Sequence, residues 1–302
     1  MFASLALLAA AQQIVIPLGN PRQIEQPRAP IESAGPLFAS VCKDWDDYAK
    51  PAPPVRIYGN TYLVGTCGIS SILITDPAGD ILIDGGPSDA TADLIAENIR
   101  KLGFRPTDVR ILLHSHEHFD HVGGLAKLQR LTGAQLLASP EAAQVLNSGQ
   151  ASADDPQYGT NPPFPAARVD RIVRDGEQVR VGNTVLIALA TPGHTPGALT
   201  WHWGSCQSGV CRQIVYADSL TPVSSKTYRF SDHPAYLAAY RASIAKVAAL
   251  HCDILLTPHP SASDMVERLQ QAQIENENGC RDYAAKLSKQ LDERLAKEAA
   301  AK

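Results

Sequence analysis

Apolar and polar positions alternate through Val55–Val64, and aliphatic or β-branched runs follow at Ser70–Thr75, Ile81–Asp84 and Val109–His114. Such runs predict strands, and Gly59-Asn60 inside the first predicts a hairpin turn. Between Ala92 and Leu102, the apolar residues Leu94, Ile95, Ile99 and Leu102 recur at helical spacing, and Gly103 stops the helix. The same logic predicts a helix over Val122–Leu131 closed by Gly133, a strand at Leu136–Ser139 and a short helix at Glu141–Leu146. Strands return at Gln178–Arg180, Thr184–Ala190, Leu199–Trp203, Gln213–Ala217 and Asp253–Thr257. Ser231 is placed to cap a helix whose apolar face carries Tyr236, Leu237, Tyr240, Ile244, Val247 and Ala248. From Arg281 onward, Leu287, Leu291 and Leu295 among charged residues predict an amphipathic terminal helix. Strands alternating with helices make this an α/β domain.

Two stretches depart from that rhythm. From Asn147 to Pro165 the chain carries Ser148, Gly149, Asp154, Asp155, Pro156, Gly159, Pro162 and Pro163, which predicts a long loop of the functional kind. Residues 12–40 are rich in Pro, Gln and Gly and read as a loosely packed arm. Residues 1–11, MFASLALLAAA, are apolar and end on an Ala-x-Ala pattern. They read as an export signal cleaved after Ala11, although the first positive residue is Arg22. Residues 41–302 then form one domain.

Composition narrows the class. The 302 residues carry a net charge of -4, with Lys and Arg scattered, which argues against a nucleic-acid partner. The longest apolar run, Phe2–Ala11, is too short to span a bilayer, so no membrane partner is expected. Cys42, Cys67, Cys206, Cys211, Cys252 and Cys280 are even in number and lack C-x-x-C spacing. Pairing neighbours, Cys42–Cys67, Cys206–Cys211 and Cys252–Cys280, is one of several possible connectivities. With the export signal, the cysteines point to an oxidising compartment.

The chemistry sits in the histidines. Residues 111–124 read ILLHSHEHFDHVGG: an aliphatic strand runs into His114, His116, His118 and His121, with Asp120 among them. Imidazole is the commonest protein ligand for metals, and a carboxylate adds charge. His116 and His118, two apart, project to one side of an extended segment, whereas Asp120 and His121 belong to the next turn. That arrangement suits two ions rather than one. Thr191-Pro192-Gly193-His194-Thr195-Pro196-Gly197 fixes a further His in a rigid turn after a strand, and Leu256-Thr257-Pro258-His259-Pro260 fixes another at a strand end. His114, His202, His233 and His251 read as structural, and Trp45, Trp201 and Trp203 as core or rim aromatics.

The run His116-Glu117-His118-Phe119-Asp120-His121, with a later loop His and a last His, resembles the metallo-β-lactamase superfamily, and the resemblance extends over Val55–His259. It implies a four-layer αβ/βα sandwich with its site on the edge between two sheets. It also implies two zinc ions, one held by His116, His118 and His194, the other by Asp120, His121 and His259. Tyr216-Ala217-Asp218-Ser219-Leu220-Thr221, without a Cys, resembles subclass 3, and specifically its three-disulfide members, which favours the neighbour pairing of the cysteines. The implied reaction is attack of a metal-shared hydroxide on the β-lactam amide of penicillins, cephalosporins and carbapenems, conferring antibiotic resistance. Asp120 would orient that hydroxide and relay a proton, and Ser219, Thr221 and Gln157 would contact the small-molecule substrate. The expected protein is a periplasmic monomer. In glyoxalase II and other hydrolases of the fold, an Asp at the place of Asp218 bridges both metals, so the alternative is a thioesterase, lactonase or phosphodiesterase. The sequence has no Gly-x-Ser-x-Gly elbow, in keeping with a route that needs no acyl-enzyme.

Overall fold

A computed structural model describes residues 13–15, 31–43 and 47–301. The expected export signal, most of the expected arm and Trp45 lie outside the described residues. The described strands form two sheets. Strand β1 (Gln13–Val15) pairs in parallel with β9 (Gln178–Val181). The first half of the chain builds a seven-stranded sheet in simple sequence order: β2 (Val55–Tyr58), β3 (Thr61–Leu63), β4 (Ile72–Ile74), β5 (Asp80–Ile83), β6 (Val109–Leu113), β7 (Gln135–Ala138) and β8 (Val169–Ile172). The second half adds β10 (Thr184–Ala190), β11 (Leu199–Gln207), β12 (Val210–Tyr216) and β13 (Ile254–Leu256) beside β9.

The helices are α1 (Ile31–Val41), α2 (Asp89–Lys101), α3 (Phe119–Val122), α4 (Leu125–Thr132), α5 (Pro140–Ser148), α6 (Pro234–Ala248), α7 (Met265–Gln270) and α8 (Gly279–Ala300). From β5 to β8 the strands are parallel, each joined to the next through one or two of the helices from α2 to α5, as parallel pairing requires.

Strand alternation sorts the aliphatics into layers. Ile72, Ile74, Ile81, Ile83, Ile111 and Leu113 point into a core shared with the second sheet, where they meet Leu186, Leu199, Trp201, Trp203, Ile214 and Leu256. Leu73, Leu82 and Leu112, from the same strands, point outward against α2, α4 and α5. Val215, Ala217 and Leu255 are covered by α6 and α8. The result is the expected four layers, helices outside two facing sheets. Both faces of the central strands are buried, so they read as continuous aliphatic runs rather than strict alternation.

The structure departs from expectation in several places. The last part of the expected arm is α1, whose Phe38 is fully buried and whose end is tied by Cys42–Cys67. Gly35 and Pro36 interrupt the apolar spacing that would have announced this helix. Ser231 does not cap α6: it lies in a short 3-10 turn, Phe230–Asp232, and its backbone N–H donates to Glu298 Oε2 at 2.9 Å. Pro234 starts α6 instead, with no side-chain cap, since its fixed φ suits a first helical position. The helix expected at Val122–Leu131 is split into α3 and α4, because Gly123-Gly124 passes close to the loop after β5. A Cβ at Gly124 would collide with the Gly85 carbonyl. All six cysteines pair as neighbours, Cys42–Cys67, Cys206–Cys211 and Cys252–Cys280. No helix among the described residues is long and apolar enough to cross a membrane.

Candidate metal centre

The histidine run leaves β6 at the edge where the two sheets meet. Backbone bonds cross that seam: Leu199 N–H donates to Ser115 O at 2.7 Å, and Ser70 N–H to Pro258 O at 2.7 Å. The indole of Trp201 donates to His114 O at 2.8 Å, and Tyr216 OH to Asp84 Oδ2 at 2.7 Å. His194 sits in the turn between β10 and β11, and His259 directly after β13. Both arrive from the second sheet to face the run from the first.

The side chains gather in two groups. The rings of His116, His118 and His194 stand at the corners of a near-equilateral triangle, with centroids 4.8–5.0 Å apart. In the other group, His121 Nε2 lies 3.2 Å from Asp120 Oδ2 and 3.3 Å from His259 Nε2, and His259 Nε2 is 3.6 Å from Asp120 Oδ2. Tetrahedral ligands at about 2.1 Å from zinc stand about 3.4 Å apart, so the spacing fits an ion of that size. The donor atoms of His116, Asp120 and His121 also lie within 4.8 Å of one another, so the groups share a border at His116. His116 Nε2 is a buried nitrogen without a hydrogen-bond partner, an arrangement that ligation would relieve.

Behind the groups, the second nitrogen of every ring but that of His121 is hydrogen-bonded to an oxygen. His116 Nδ1 lies 2.8 Å from Asp218 Oδ1, His118 Nε2 3.0 Å from Asp155 Oδ2, and His194 Nδ1 2.9 Å from Thr221 O. His259 Nδ1 lies 3.2 Å from Gly68 O, and His121 Nδ1 has the looser 3.5 Å contact with Asp84 Oδ2. Such partners fix the tautomer and ring orientation of a metal-ligating His.

Burial and charge set the protonation states. Burial pushes His116, His194 and His259 down, His194 to about 3 and His259 to about 4, and neighbouring imidazoles add to the effect. They are therefore neutral, the ligating form, at neutral pH. Burial opposes ionisation of Asp120, but His121, His259 and His118 outweigh it and hold the carboxyl below its usual range. Burial also opposes the charge on His121, but Asp120 and Asp84 outweigh it and push the ring up to about 10. Burial raises Asp218 well above the carboxylate range, so its pair with His116 favours one shared proton over two separated charges.

A cleft of about 310 Å³ opens over both groups, lined among others by His118, Asp120, Gln157, His194, Thr221 and His259. Thr221 and Gln157, expected at the substrate, line it. Ser219 does not: it is 2% exposed, its carbonyl accepts from Tyr283 OH at 2.6 Å, and it lies behind the wall. Asp218 stands on the Nδ1 side of His116 rather than among the converging donors. His114 turns away, with Nε2 accepting from Ser139 N–H at 3.3 Å.

Residues 64–259 match the metallo-β-lactamase superfamily. The chain belongs to that superfamily. The solved structure of MIM-2 metallo-β-lactamase is 55% identical, with a TM-score of 0.84 over 88% of this chain and 98% of that one. MEM-A1, a subclass B3 metallo-β-lactamase isolated from a soil metagenome library, is 46% identical, with a TM-score of 0.81 over 85% of this chain and 100% of that one. Among curated proteins, hydroxyacylglutathione hydrolase of Anaeromyxobacter dehalogenans is 28% identical over 211 residues, 60% of this chain and 71% of that protein. The chain spans between 41% and 71% of the length of the first three curated relatives it matches.

Three residues of this metallo-β-lactamase superfamily hydrolase escaped the sequence reading. Asp84, fully buried, accepts from Ser115 N–H and Ser115 Oγ, both at 2.7 Å, besides facing His121. Glu117 accepts from Thr195 Oγ1 at 2.7 Å and Gly197 N–H at 2.8 Å, which pins the turn that carries His194. Asp155 backs His118 from the long loop. Only Glu117 had a signal, its place inside the histidine run. Asp84 ends a strand like many aspartates, and Asp155 is one of two adjacent acids in a loop.

Proposed function

We propose that the protein is a zinc-dependent β-lactamase of the subclass B3 kind, using two zinc ions to open penicillins, cephalosporins and carbapenems and so conferring resistance. The observation that carries the reading is the donor set itself: His116, His118 and His194 beside Asp120, His121 and His259, with no Cys and with Asp218 behind His116. Identity of 55% across 88% of the chain to a metallo-β-lactamase supports it. The position of Asp218 disfavours the thioesterase reading that the hydroxyacylglutathione hydrolase relative suggests.

When bound, zinc lowers the pKa of water towards about 7 and polarises a carbonyl oxygen. The chain's residues do the rest. His116, His118 and His194 hold one side of the cleft, and Asp120, His121 and His259 the other. In lactam hydrolysis a water oxygen bonds to the carbonyl carbon, the C–N bond breaks, and the nitrogen gains a proton. Asp120 is ionised at the cleft wall, so its carboxylate orients the attacking water and accepts its proton for passage to that nitrogen. Thr221 and Gln157 border the space where a substrate carboxylate and ring would lie. The three disulfides fit export to the periplasm.

The test is hydrolysis of nitrocefin and imipenem by purified, zinc-loaded protein. Turnover that a chelator lowers at least about a hundredfold, and that added zinc restores, is the expected result. A zinc-loaded protein that opens no β-lactam overturns the reading.

A further inference from the structure

The long loop predicted from Asn147 to Pro165 meets the metal centre through the Asp155 carboxylate and the Gln157 side chain. Its neck is closed where Phe164 N–H donates to Gly149 O at 3.1 Å, and Gly149 takes a positive φ of 70° there. Its tip rests on the segment after Thr221, with Ser225 N–H donating to Pro156 O at 2.8 Å. Between them sits Asp155, 3% exposed. One of its oxygens, Oδ2, is 3.0 Å from His118 Nε2, and the other accepts from Gln157 N–H at 2.7 Å. Its carbonyl accepts from Tyr158 N–H at 2.9 Å, and the Gln157 carbonyl from Thr160 N–H at 3.0 Å. The Gln157 side chain reaches into the cleft, with Nε2 3.3 Å from His194 Nε2.

We propose that Asp155 is a positioning residue that couples metal binding at His118 to the conformation of the loop presenting Gln157. Asp155 occupies the Nε2 side of His118, which leaves Nδ1 to face a metal. A neutral imidazole carries one proton, and a ligand on Nδ1 forces that proton onto Nε2, where it is donated to Asp155. A ring that no ion holds at Nδ1 keeps more freedom to turn, so its Nε2 contact with Asp155 is less firmly fixed. Metal therefore strengthens the bond that anchors the loop. By linkage, the anchored loop strengthens metal binding by the same factor. Partners of this kind are worth about 10–100-fold in metal affinity.

The inference rests on the proposed role of His118, and its test needs no substrate, so a protein that opens no β-lactam leaves it standing. Zinc affinity is measured by competition with a chromophoric chelator, and amide exchange is followed at Gln157, Tyr158 and Thr160. In the parent chain, removing zinc raises exchange at these amides about tenfold or more while the strands stay protected. In Asp155→Asn, zinc binds about 10–100-fold more weakly and the loop amides exchange at the stripped rate with or without saturating zinc. Gln157→Ala keeps the carboxylate and binds zinc within about threefold of the parent, well inside that range. Loop exchange in the parent that ignores zinc, parental zinc affinity in Asp155→Asn, or an equal loss of affinity in Gln157→Ala would each overturn the proposal. If β-lactams are turned over, zinc-saturated Asp155→Asn shows a raised KM with kcat less affected. A fall in kcat alone contradicts loop positioning.

Discussion

The two donor groups are built differently. His116, His118 and His194 are all buried imidazoles, each backed by an oxygen at 2.8–3.0 Å. The other group adds a carboxylate, and His259 leaves 23% of its side chain exposed. Its His121 is held by a 3.5 Å contact to Asp84, longer than a hydrogen bond. The first group is enclosed and made of imidazoles alone, while the second includes the ionised Asp120 and opens towards solvent. A preformed, well-backed set of ligands loses less freedom when an ion arrives. The comparison teaches that the three-histidine group should hold an ion more tightly, while the carboxylate side keeps the ionised group that the proposed proton transfer uses.

The largest effect that could break this comparison is removal of one ligand from each group. His121→Ala is expected to lower zinc content from about two ions per chain towards about one, on the two-ion reading, with the remaining ion bound about as before. His118→Ala is expected to weaken the tighter ion. Equal loss of both ions in His121→Ala, read by metal analysis after dialysis, contradicts the division. A smaller effect sharpens it: Asp84→Asn removes the charge behind His121 and should weaken the second ion about 10–100-fold, sparing the first. Titration with zinc would show two steps moving apart, and two steps shifting together would refute the assignment.

The smallest effect lies away from both groups and serves as their control. Glu298 accepts from Phe230 N–H at 3.0 Å and Ser231 N–H at 2.9 Å, and pairs with Arg294 at 2.9 Å. Burial opposes its charge, but these donors win and lower the carboxyl to about 2. A carboxyl depressed on folding contributes stability that is present above its unfolded pKa of about 4.3 and is lost as pH falls towards 2. Glu298→Gln is thus expected to cost about 1–2 kcal/mol at pH 7, and almost nothing near pH 2. Denaturant melts at both pH values check this, and an equal deficit at both would count against the ionised clamp. Zinc content should stay at the parental value.

The layered fold and the histidines were legible in the sequence because each follows a local rule. Strand and helix periods mark β4 to β7, α2 and α8, and a cluster of four histidines in eight residues is hard to explain by packing alone. What was hidden depends on tertiary partners. Strand β8, Val-Asp-Arg-Ile, is a polar edge whose pairing with β7 outweighs its weak propensity. Helix α1 is held by burial of Phe38 and by a disulfide rather than by its own spacing. Asp84, Glu117 and Asp155 are ordinary acids in sequence, and only the fold shows which oxygen faces which ring. The place of Ser219 was hidden for the same reason: it is buried and does not line the cleft that Thr221, two residues on, reaches.

The seam has a consequence for the folded state as a whole. Four of the six donors hang from one sheet, while His194 and His259 hang from the other. An ion held by both sets acts as a staple through the middle of the sandwich. Ligand that binds only the native form adds stability that grows with its free concentration, about 4 kcal/mol at a thousandfold excess over its dissociation constant. On the proposed zinc reading, scarcity of zinc would therefore loosen the grip of one sheet on the other while silencing the cleft, so that shelf life and activity decline together.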